Sequence, residues 1–122
     1  MRNNRLDRLN SSIKRVVLEV INTRLDNPDI PTSVSVTSVD TTPDLSISHV
    51  YVDCLGSDDE RKKMLRAVQS AGGLIRGEVS RQIQIRITPR LVFRLDESQK
   101  NVDRIDEIFK SIVIPPLEED DD

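Results

Sequence analysis

The sequence SAGGLIRGEV at residues 70–79 contains the most informative break in the helical pattern of this chain. Its adjacent glycines, Gly72 and Gly73, interrupt an apolar stripe that keeps helical spacing from Leu65 to Val79. A glycine inside a helix costs about 1 kcal/mol relative to alanine. The pair therefore predicts a kink or a helix-turn-helix joint, although the periodicity is equally consistent with an ordinary helix bend that has no functional role.

The residues before this stretch predict where its helix begins. Ser57 or Asp58 can cap the first turn, because a serine or aspartate oxygen accepts a hydrogen bond from a free backbone N–H there. The acids Asp59 and Glu60 follow, and negative charge is favoured at the positive end of a helix dipole. A helix is therefore expected to start at residues 57–58.

After the stretch, the apolar period changes from helical to two. Residues 83–95 alternate aliphatic or aromatic with other side chains, which is typical of a strand. Pro89 interrupts this run and has no N–H to donate to a neighbouring strand. The sequence therefore predicts a third strand over residues 83–95 that lies at a sheet edge or bulges between Thr88 and Arg90.

The first half of the chain predicts a helix followed by a hairpin. Apolar residues recur at steps of three and four from Leu6 to Val20, which indicates an amphipathic helix that ends before Asn-Pro-Asp at 27–29. Residues 32–41 and 45–55 are rich in Val, Ile, Thr and Ser around a turn that contains proline. These two runs predict an antiparallel hairpin.

The end of the chain predicts one more helix and a tail. Residues 98–112 are amphipathic, Pro115 and Pro116 end that pattern, and residues 115–122 are expected to be a disordered acidic tail. The element order is helix, strand, strand, helix, kinked helix, strand and C-terminal helix. We therefore expect a single α+β domain over residues 1–114, with a three-stranded sheet packed against helices.

The formal net charge of -3 is unevenly distributed along the chain. Residues 1–15 carry +4 and residues 61–94 carry +8, whereas residues 16–60 carry -8 and residues 95–122 carry -7. Seven of the nine cations in residues 61–94 are arginine, whose planar guanidinium suits phosphate. The distribution favours binding to nucleic acid, while the alternative is that these cations merely neutralise the acids of residues 16–60.

The composition argues against most catalytic sites and several kinds of binding. Cys54 is the one cysteine and His49 the one histidine, so a disulfide framework, a multi-cysteine zinc site and a Ser-His-Asp triad are not expected. No glycine-rich phosphate loop occurs. The chain has two Phe, one Tyr and no Trp, which are too few aromatic side chains for a nucleic-acid site that works by stacking on bases. We expect no cofactor, no metal and no enzymatic activity, and His49 and Cys54 are interpreted as ordinary strand residues.

No membrane span or signal peptide is expected, because the sequence has no long apolar run and begins with a charged helical pattern. The absence of a disulfide framework fits a reducing compartment. The sequence therefore predicts a cytoplasmic protein without a membrane partner.

The stretch at 70–79, followed by IQIRITPRLVFRLD at 83–96, resembles the bacterial ribosome-binding factor A family. That family has an Ala-x-Gly kink before a strand of the pattern aliphatic-Arg-aliphatic-x-Pro-x-Leu-x-Phe, and RLDRLN at 5–10 and VYV at 50–52 also match it. The resemblance covers about residues 3–112. It implies a type II KH-like fold in which Ala71, Gly72 and Gly73 replace the G-x-x-G of ordinary KH domains. The usual KH clamp on four single-stranded nucleotides is therefore not expected.

The resemblance implies a ribosome biogenesis factor that binds the free small (30S) subunit. Its implied role is late maturation of the subunit, including processing of the 5′ end of 16S rRNA, and the family is associated with growth in the cold. Assembly GTPases are further candidate partners, and a monomer is expected. Charge and helical phase give the candidate rRNA contacts as Arg5, Arg8, Arg15, Arg76, Arg81, Arg86 and Arg90.

Two other functions remain open from the residues alone. The acidic residues 16–60 or the tail could make the protein a non-enzymatic adaptor for a basic protein partner. Residues 58–83 could form a helix-turn-helix that binds duplex DNA.

Overall fold

The computed structural model describes residues 4–98, in which three helices pack on a three-stranded sheet. The predicted C-terminal helix beyond Ser98 and the predicted tail at 115–122 lie outside the described residues. The elements in chain order are α1 (Asn4–Thr23), β1 (Ser35–Thr41), β2 (Ile47–Asp53), α2 (Asp58–Ser70), α3 (Gly72–Gln82) and β3 (Arg90–Leu95).

The first helix, α1, forms where its apolar stripe predicts it. The stripe becomes one wall of the core, and its members Ile13, Val16 and Val17 are fully buried. After the helix ends, the Asn27 side chain accepts a hydrogen bond from the Asp29 N–H at 2.9 Å, which forms the turn that leads toward β1.

β1 and β2 form the predicted antiparallel hairpin, with an irregular register between Val36 and Ser38. The turn between them is held by Asp44, whose carboxylate accepts hydrogen bonds from the Thr42 hydroxyl at 2.7 Å and the Ser46 N–H at 3.1 Å. These bonds keep Leu45 in the left-handed region at φ 63°.

The third strand is shorter than the sequence predicts. Only Arg90–Leu95 is a strand, and it pairs in parallel with the central strand β2 from Ile47↔Arg90 to Val52↔Leu95. The prediction of strand over residues 83–89 is wrong, because Pro89 has no N–H for the ladder and pairing with β2 begins only after it. β3 is an edge strand, which is one of the two alternatives that Pro89 predicted.

The helix after β2 begins with a complete capping box. The Ser57 hydroxyl accepts from the Glu60 N–H at 3.2 Å, and the Glu60 carboxylate accepts from the Ser57 N–H at 2.8 Å. The predicted helix start is therefore confirmed.

The predicted kink is a joint of one residue. Ala71, at φ -90° and ψ 8°, separates α2 from α3. Its N–H donates back to the Val68 carbonyl at 3.0 Å and its carbonyl accepts from the Ile75 N–H at 3.0 Å, so the two helices continue directly into each other. A DNA-binding helix-turn-helix normally has a turn of about three or four residues, so this joint does not support the DNA-binding alternative.

All three helices cover the same face of the sheet, and the core lies between them. Val50, Val52 and Phe93 point from the sheet into the same cluster as Met64 and Ile75 of the helices. Because side chains alternate along a strand, the neighbours of these sheet residues point to the opposite face.

Candidate nucleic-acid interface

Parts of the two basic segments, residues 1–15 and 61–94, lie beside each other at one groove. A groove of about 300 Å³, here called the α1–loop groove, is lined by α1, the hairpin turn and the residues that follow α3. Its lining residues are Arg5, Leu6, Leu9, Pro43, Leu45 and Ile85. Segments that are far apart in the sequence therefore share one surface.

The α1 flank, defined as Arg5, Arg8 and Arg15, is exposed along its length. Arg8 lines a shallow depression with Ser11 and Ser12. Neither Arg8 nor Arg15 makes a side-chain hydrogen bond to another residue in the described part of the chain. These two cations are therefore available to a partner, and their guanidinium groups can donate two parallel hydrogen bonds to a phosphate.

Arg76 of α3 is bonded to the backbone that precedes β3. Its Nε donates to the Pro89 carbonyl at 3.2 Å and its Nη2 donates to the Thr88 carbonyl at 2.7 Å. The sequence gives Arg76 as an rRNA contact, and the structure shows that part of its hydrogen-bonding capacity is used inside the protein.

Arg81 is also engaged, in an ion cluster around Glu78. The buried Glu78 carboxylate accepts from Arg81 at 2.5 Å, from Arg24 at 3.1 Å and from Gln82 at 3.0 Å. The hydrogen bonds from Arg81, followed by the one from Gln82, lower the pKa of Glu78 to about 2. Glu78 is therefore ionised and offsets part of the positive charge, while the Arg81 side chain stays 69% exposed.

Arg86 and Arg90 are both exposed but belong to different surfaces. Arg86 follows Ile85 of the α1–loop groove directly. Arg90 alternates with Leu91, which packs against the core, so its side chain points to the sheet face away from the helices. The structure therefore separates the predicted contacts. Arg86 follows a residue of the groove that Arg5 lines, Arg76 and Arg81 are hydrogen-bonded within the protein, and Arg90 lies on the sheet face away from the helices.

Arg61 is a cation of residues 61–94 that adds little positive charge to the surface, because it is mostly buried in ion pairs. It belongs to the +8 segment, yet its side chain is only 12% exposed and donates to Asp53 at 2.8 Å and Glu97 at 3.3 Å. The hydrogen bond to Asp53 is the main cause that raises its pKa. The sequence does hint that Arg61 forms ion pairs within the protein. It lies three residues after Asp58 in the first turn of α2 and eight residues after Asp53, the last residue of β2.

The predicted kink residues differ in exposure. Ala71 and Gly72 are half-buried, and Gly73 is exposed. A Cβ on Gly72 would meet only Phe93, at 3.6 Å, and one on Gly73 would meet nothing within 4 Å. The packing of the described residues therefore requires neither glycine, and both leave backbone accessible at the joint.

The other chemically reactive residues do not form a site in the described part of the chain. His49 lies within β2 and Cys54 directly follows it, and burial raises the pKa of the Cys54 thiol, which disfavours a thiolate. Within residues 4–98, no group of three His, Cys, Asp or Glu side chains could hold a metal ion. None of the helices described has the length and apolar character needed to cross a membrane.

Comparison with known proteins decides the family. The family model described as Ribosome-binding factor A matches residues 5–109. The chain belongs to the ribosome-binding factor A family. The resemblance seen in its sequence is thereby confirmed.

Curated ribosome-binding factor A proteins match most of the chain. The one from Acetivibrio thermocellus is 38% identical over 94 residues, which are 77% of this chain and 76% of that protein. The one from Macrococcus caseolyticus is 40% identical over 94 residues, covering 77% and 82%. The similarity therefore covers about three quarters of this chain.

Solved structures of ribosome-binding factor A have the same architecture. The crystal structure from Thermus thermophilus gives a TM-score of 0.67 at 26% identity and covers 76% of this chain and 97% of that one. A Thermus thermophilus homology model fitted into a cryo-EM map of a 30S–RbfA complex gives 0.60 at 25% identity, covering 72% and 91%. The predicted α+β, KH-like fold is confirmed.

Proposed function

We propose that this protein is a ribosome biogenesis factor that binds the free 30S subunit and assists its late maturation, including processing of the 5′ end of 16S rRNA. One observation carries the proposal. A relative that shares this fold at a TM-score of 0.60 was fitted into the map of a 30S–RbfA complex. The basic surface found here supplies the chemistry that such a complex needs.

The proposed mechanism is binding without covalent chemistry. Arg5 of the α1 flank lines the α1–loop groove, and Arg86 follows the groove residue Ile85; together with Arg8 and Arg15 these arginines would supply guanidinium groups suited to the phosphates of folded rRNA. Proteins recognise folded RNA largely through shape and backbone contacts, and neither requires stacked aromatic side chains. The protein would hold immature rRNA in a conformation that favours processing, and then leave.

The seven arginines have different parts in this proposal. Arg5, Arg8, Arg15 and Arg86 would contact phosphate directly, and Arg90, on the other sheet face, would add positive charge at longer range. Arg76 and Arg81 would contribute charge while keeping their internal hydrogen bonds. Ala71, Gly72 and Gly73 would let rRNA approach the backbone at the joint.

The remaining features of the proposal concern the cellular setting. The protein would act in the cytoplasm as a monomer, with a domain over residues 1–114 and an acidic tail at 115–122. Assembly GTPases are the proposed class of protein that works beside it on the same subunit.

Sedimentation of a lysate through a sucrose gradient tests the proposed binding. We expect the wild-type protein in the free 30S fractions, and we expect nuclease treatment to release it. Arg8→Glu/Arg15→Glu should lower the bound fraction about tenfold or more, because it replaces two proposed phosphate contacts with repulsion.

The matched control is Lys62→Glu/Lys63→Glu, which makes the same change of charge at exposed residues of α2. It should leave most of the binding intact. Wild-type protein found only at the top of the gradient would contradict the proposal. A complex that survives nuclease would instead favour the adaptor function.

A further inference from the structure

The residues between α3 and β3, here called the 83–89 loop, have little regular backbone bonding. Within the loop the Ile85 N–H donates to the Ile83 carbonyl at 3.0 Å, and pairing with the hairpin resumes only where the Arg90 N–H donates to the Ser46 carbonyl at 2.9 Å. Pro89 has no N–H to contribute. The loop therefore depends on side chains for its shape.

Arg76 supplies the long-range hydrogen bonds at the end of this loop. Its Nε and Nη2 reach two successive carbonyls, those of Pro89 at 3.2 Å and Thr88 at 2.7 Å. A hydrogen bond with a charged donor contributes more than a neutral one. Arg76 thus holds the loop against α3 at Thr88 and Pro89, where no β-ladder hydrogen bonds hold the backbone.

The loop has two anchored positions and an exposed tip between them. Ile85 lines the α1–loop groove beside Arg5 and Leu6, and Pro89 is fully buried. Ile87 is 72% exposed, and Arg86 is also exposed. The Arg76 bonds therefore lie immediately beside the segment that carries Arg86.

We propose that Arg76 is a positioning residue, which holds the 83–89 loop so that Arg86 is presented to rRNA beside the α1–loop groove that Arg5 lines. This inference rests on the proposed function. Arg76 affects binding indirectly, because its Nε and Nη2 hydrogen bonds fix the loop backbone. Arg86 makes the contact with phosphate.

The chemistry of the side chain makes the role specific to arginine. The planar guanidinium donates from Nε and Nη2 in a fixed geometry that spans both carbonyls. A lysine ammonium has the same charge but is a single point on a flexible stem, so it cannot reproduce this bridge. A direct phosphate contact, in contrast, would be largely retained by lysine.

The test compares Arg76→Lys with the wild type in two measurements. The first is cleavage of the free, folded protein after Arg86 by an arginine-specific protease, followed by mass spectrometry. We expect about tenfold faster cleavage in Arg76→Lys, because the charged hydrogen bonds that limit loop opening are lost. The second is co-sedimentation with purified 30S subunits, which we expect Arg76→Lys and Arg86→Gln to weaken by similar factors.

Arg66→Lys is the matched control for cleavage, because Arg66 is an exposed arginine of α2 without a side-chain hydrogen bond to another residue in the described range. It should cleave after Arg86 at the wild-type rate. Circular dichroism melts report whether each variant is folded. If Arg76→Lys does not fold, Thr88→Gly gives the second comparison, because it keeps Arg76 and both carbonyls while loosening the loop, and we expect it to reproduce both effects.

Wild-type cleavage and wild-type subunit binding in Arg76→Lys would overturn the inference and would assign Arg76 to a direct charge contact. Faster cleavage with unchanged binding would overturn it as well, because the loop would then be held for stability alone. Failure of the proposed function is distinguishable, since the wild-type protein itself would then not co-sediment, whereas the cleavage measurement needs no ribosome.

Discussion

Glu78 links α3 to the end of α1, and the contact between these two helices is here called the α1–α3 seam. It is buried, and Arg24 reaches it from the end of α1 across 54 positions of sequence. A single carboxylate therefore joins two helices and fixes the position of Arg81, whose charge contributes to the proposed binding.

The Glu78 carboxylate should make stability depend on acid pH. Its pKa is lowered to about 2 from the ordinary value of 4.5, so its contribution is complete above about pH 4.5 and is lost as the pH falls toward 2. Denaturant unfolding at a series of pH values should show Glu78→Gln less stable than wild type at pH 7, with the gap closing as the pH falls.

Glu19→Gln is the control for this prediction, because Glu19 lies at the same seam but is exposed and accepts one bond, from Gln82 at 3.4 Å. Its effect should be smaller at every pH. A gap between wild type and Glu78→Gln that stayed constant from pH 7 to pH 2.5 would show that the ion cluster does not stabilise the fold.

Single residues also mark the limit of prediction from the sequence. Composition identifies Arg61, Arg76 and Arg81 as cations, but their partners are set by the fold. Arg61 bonds to Glu97, 36 positions away, and Arg76 bonds to a carbonyl 13 positions away. Counting charge therefore predicts the sign of the surface, while the number of cations open to a partner follows only from the three-dimensional structure.

Among the helices and strands, the features predicted correctly are those that depend on residues close together in the sequence. The stripe of α1, the helix start at residues 57–58 and the break beside Gly72 and Gly73 depend on residues within a few positions of one another, and the structure confirms all three. The alternation over residues 83–89 predicted a strand wrongly. Its aliphatic residues contact different surroundings, because Ile85 lines the α1–loop groove while Ile87 is exposed.

Two glycines should respond to alanine in opposite directions. A Cβ on Gly77 of α3 would meet nothing within 4 Å, so Gly77→Ala should stabilise the protein by about 0.5–1 kcal/mol through helix propensity. Gly56 has φ +141°, and its Cβ would lie 2.9 Å from a Glu60 carboxylate oxygen. Gly56→Ala should therefore lower stability and disturb the capping box.

Thermal melts of the two variants measure these effects. A change of 1 kcal/mol shifts the Tm of a domain of this size by about 4–8 °C, so the two variants should lie on opposite sides of the wild type. A lower Tm for Gly77→Ala than for the wild type would contradict this prediction.

For the molecule as a whole, the proposed interface makes its affinity depend on salt. Each phosphate contact releases counterions and contributes about -0.7 to -0.9 to the slope of log K against log salt concentration. With Arg5, Arg8, Arg15 and Arg86 as direct contacts, we expect a slope of about -3 for binding to 30S subunits.

Removing one of these contacts should reduce that slope by about one, so Arg15→Gln should give about -2. Fluorescence titrations between low and physiological salt measure both values. A wild-type slope near zero would contradict phosphate recognition, and a much steeper one would mean that Arg76, Arg81 and Arg90 contact phosphate as well.

The parallel pairing of β3 with β2 also has a consequence for how the protein folds. The hairpin closes over residues 42–46, whereas β3 must return to β2 across residues 54–89. Long-range pairing carries the larger loop-closure entropy and forms later. The 83–89 loop takes its final position only once β3 is in place, so we expect a partly folded chain to lack the assembled basic surface and to bind RNA poorly. We therefore expect the chain to gain its affinity for RNA only in the last step of folding, when the sheet is complete.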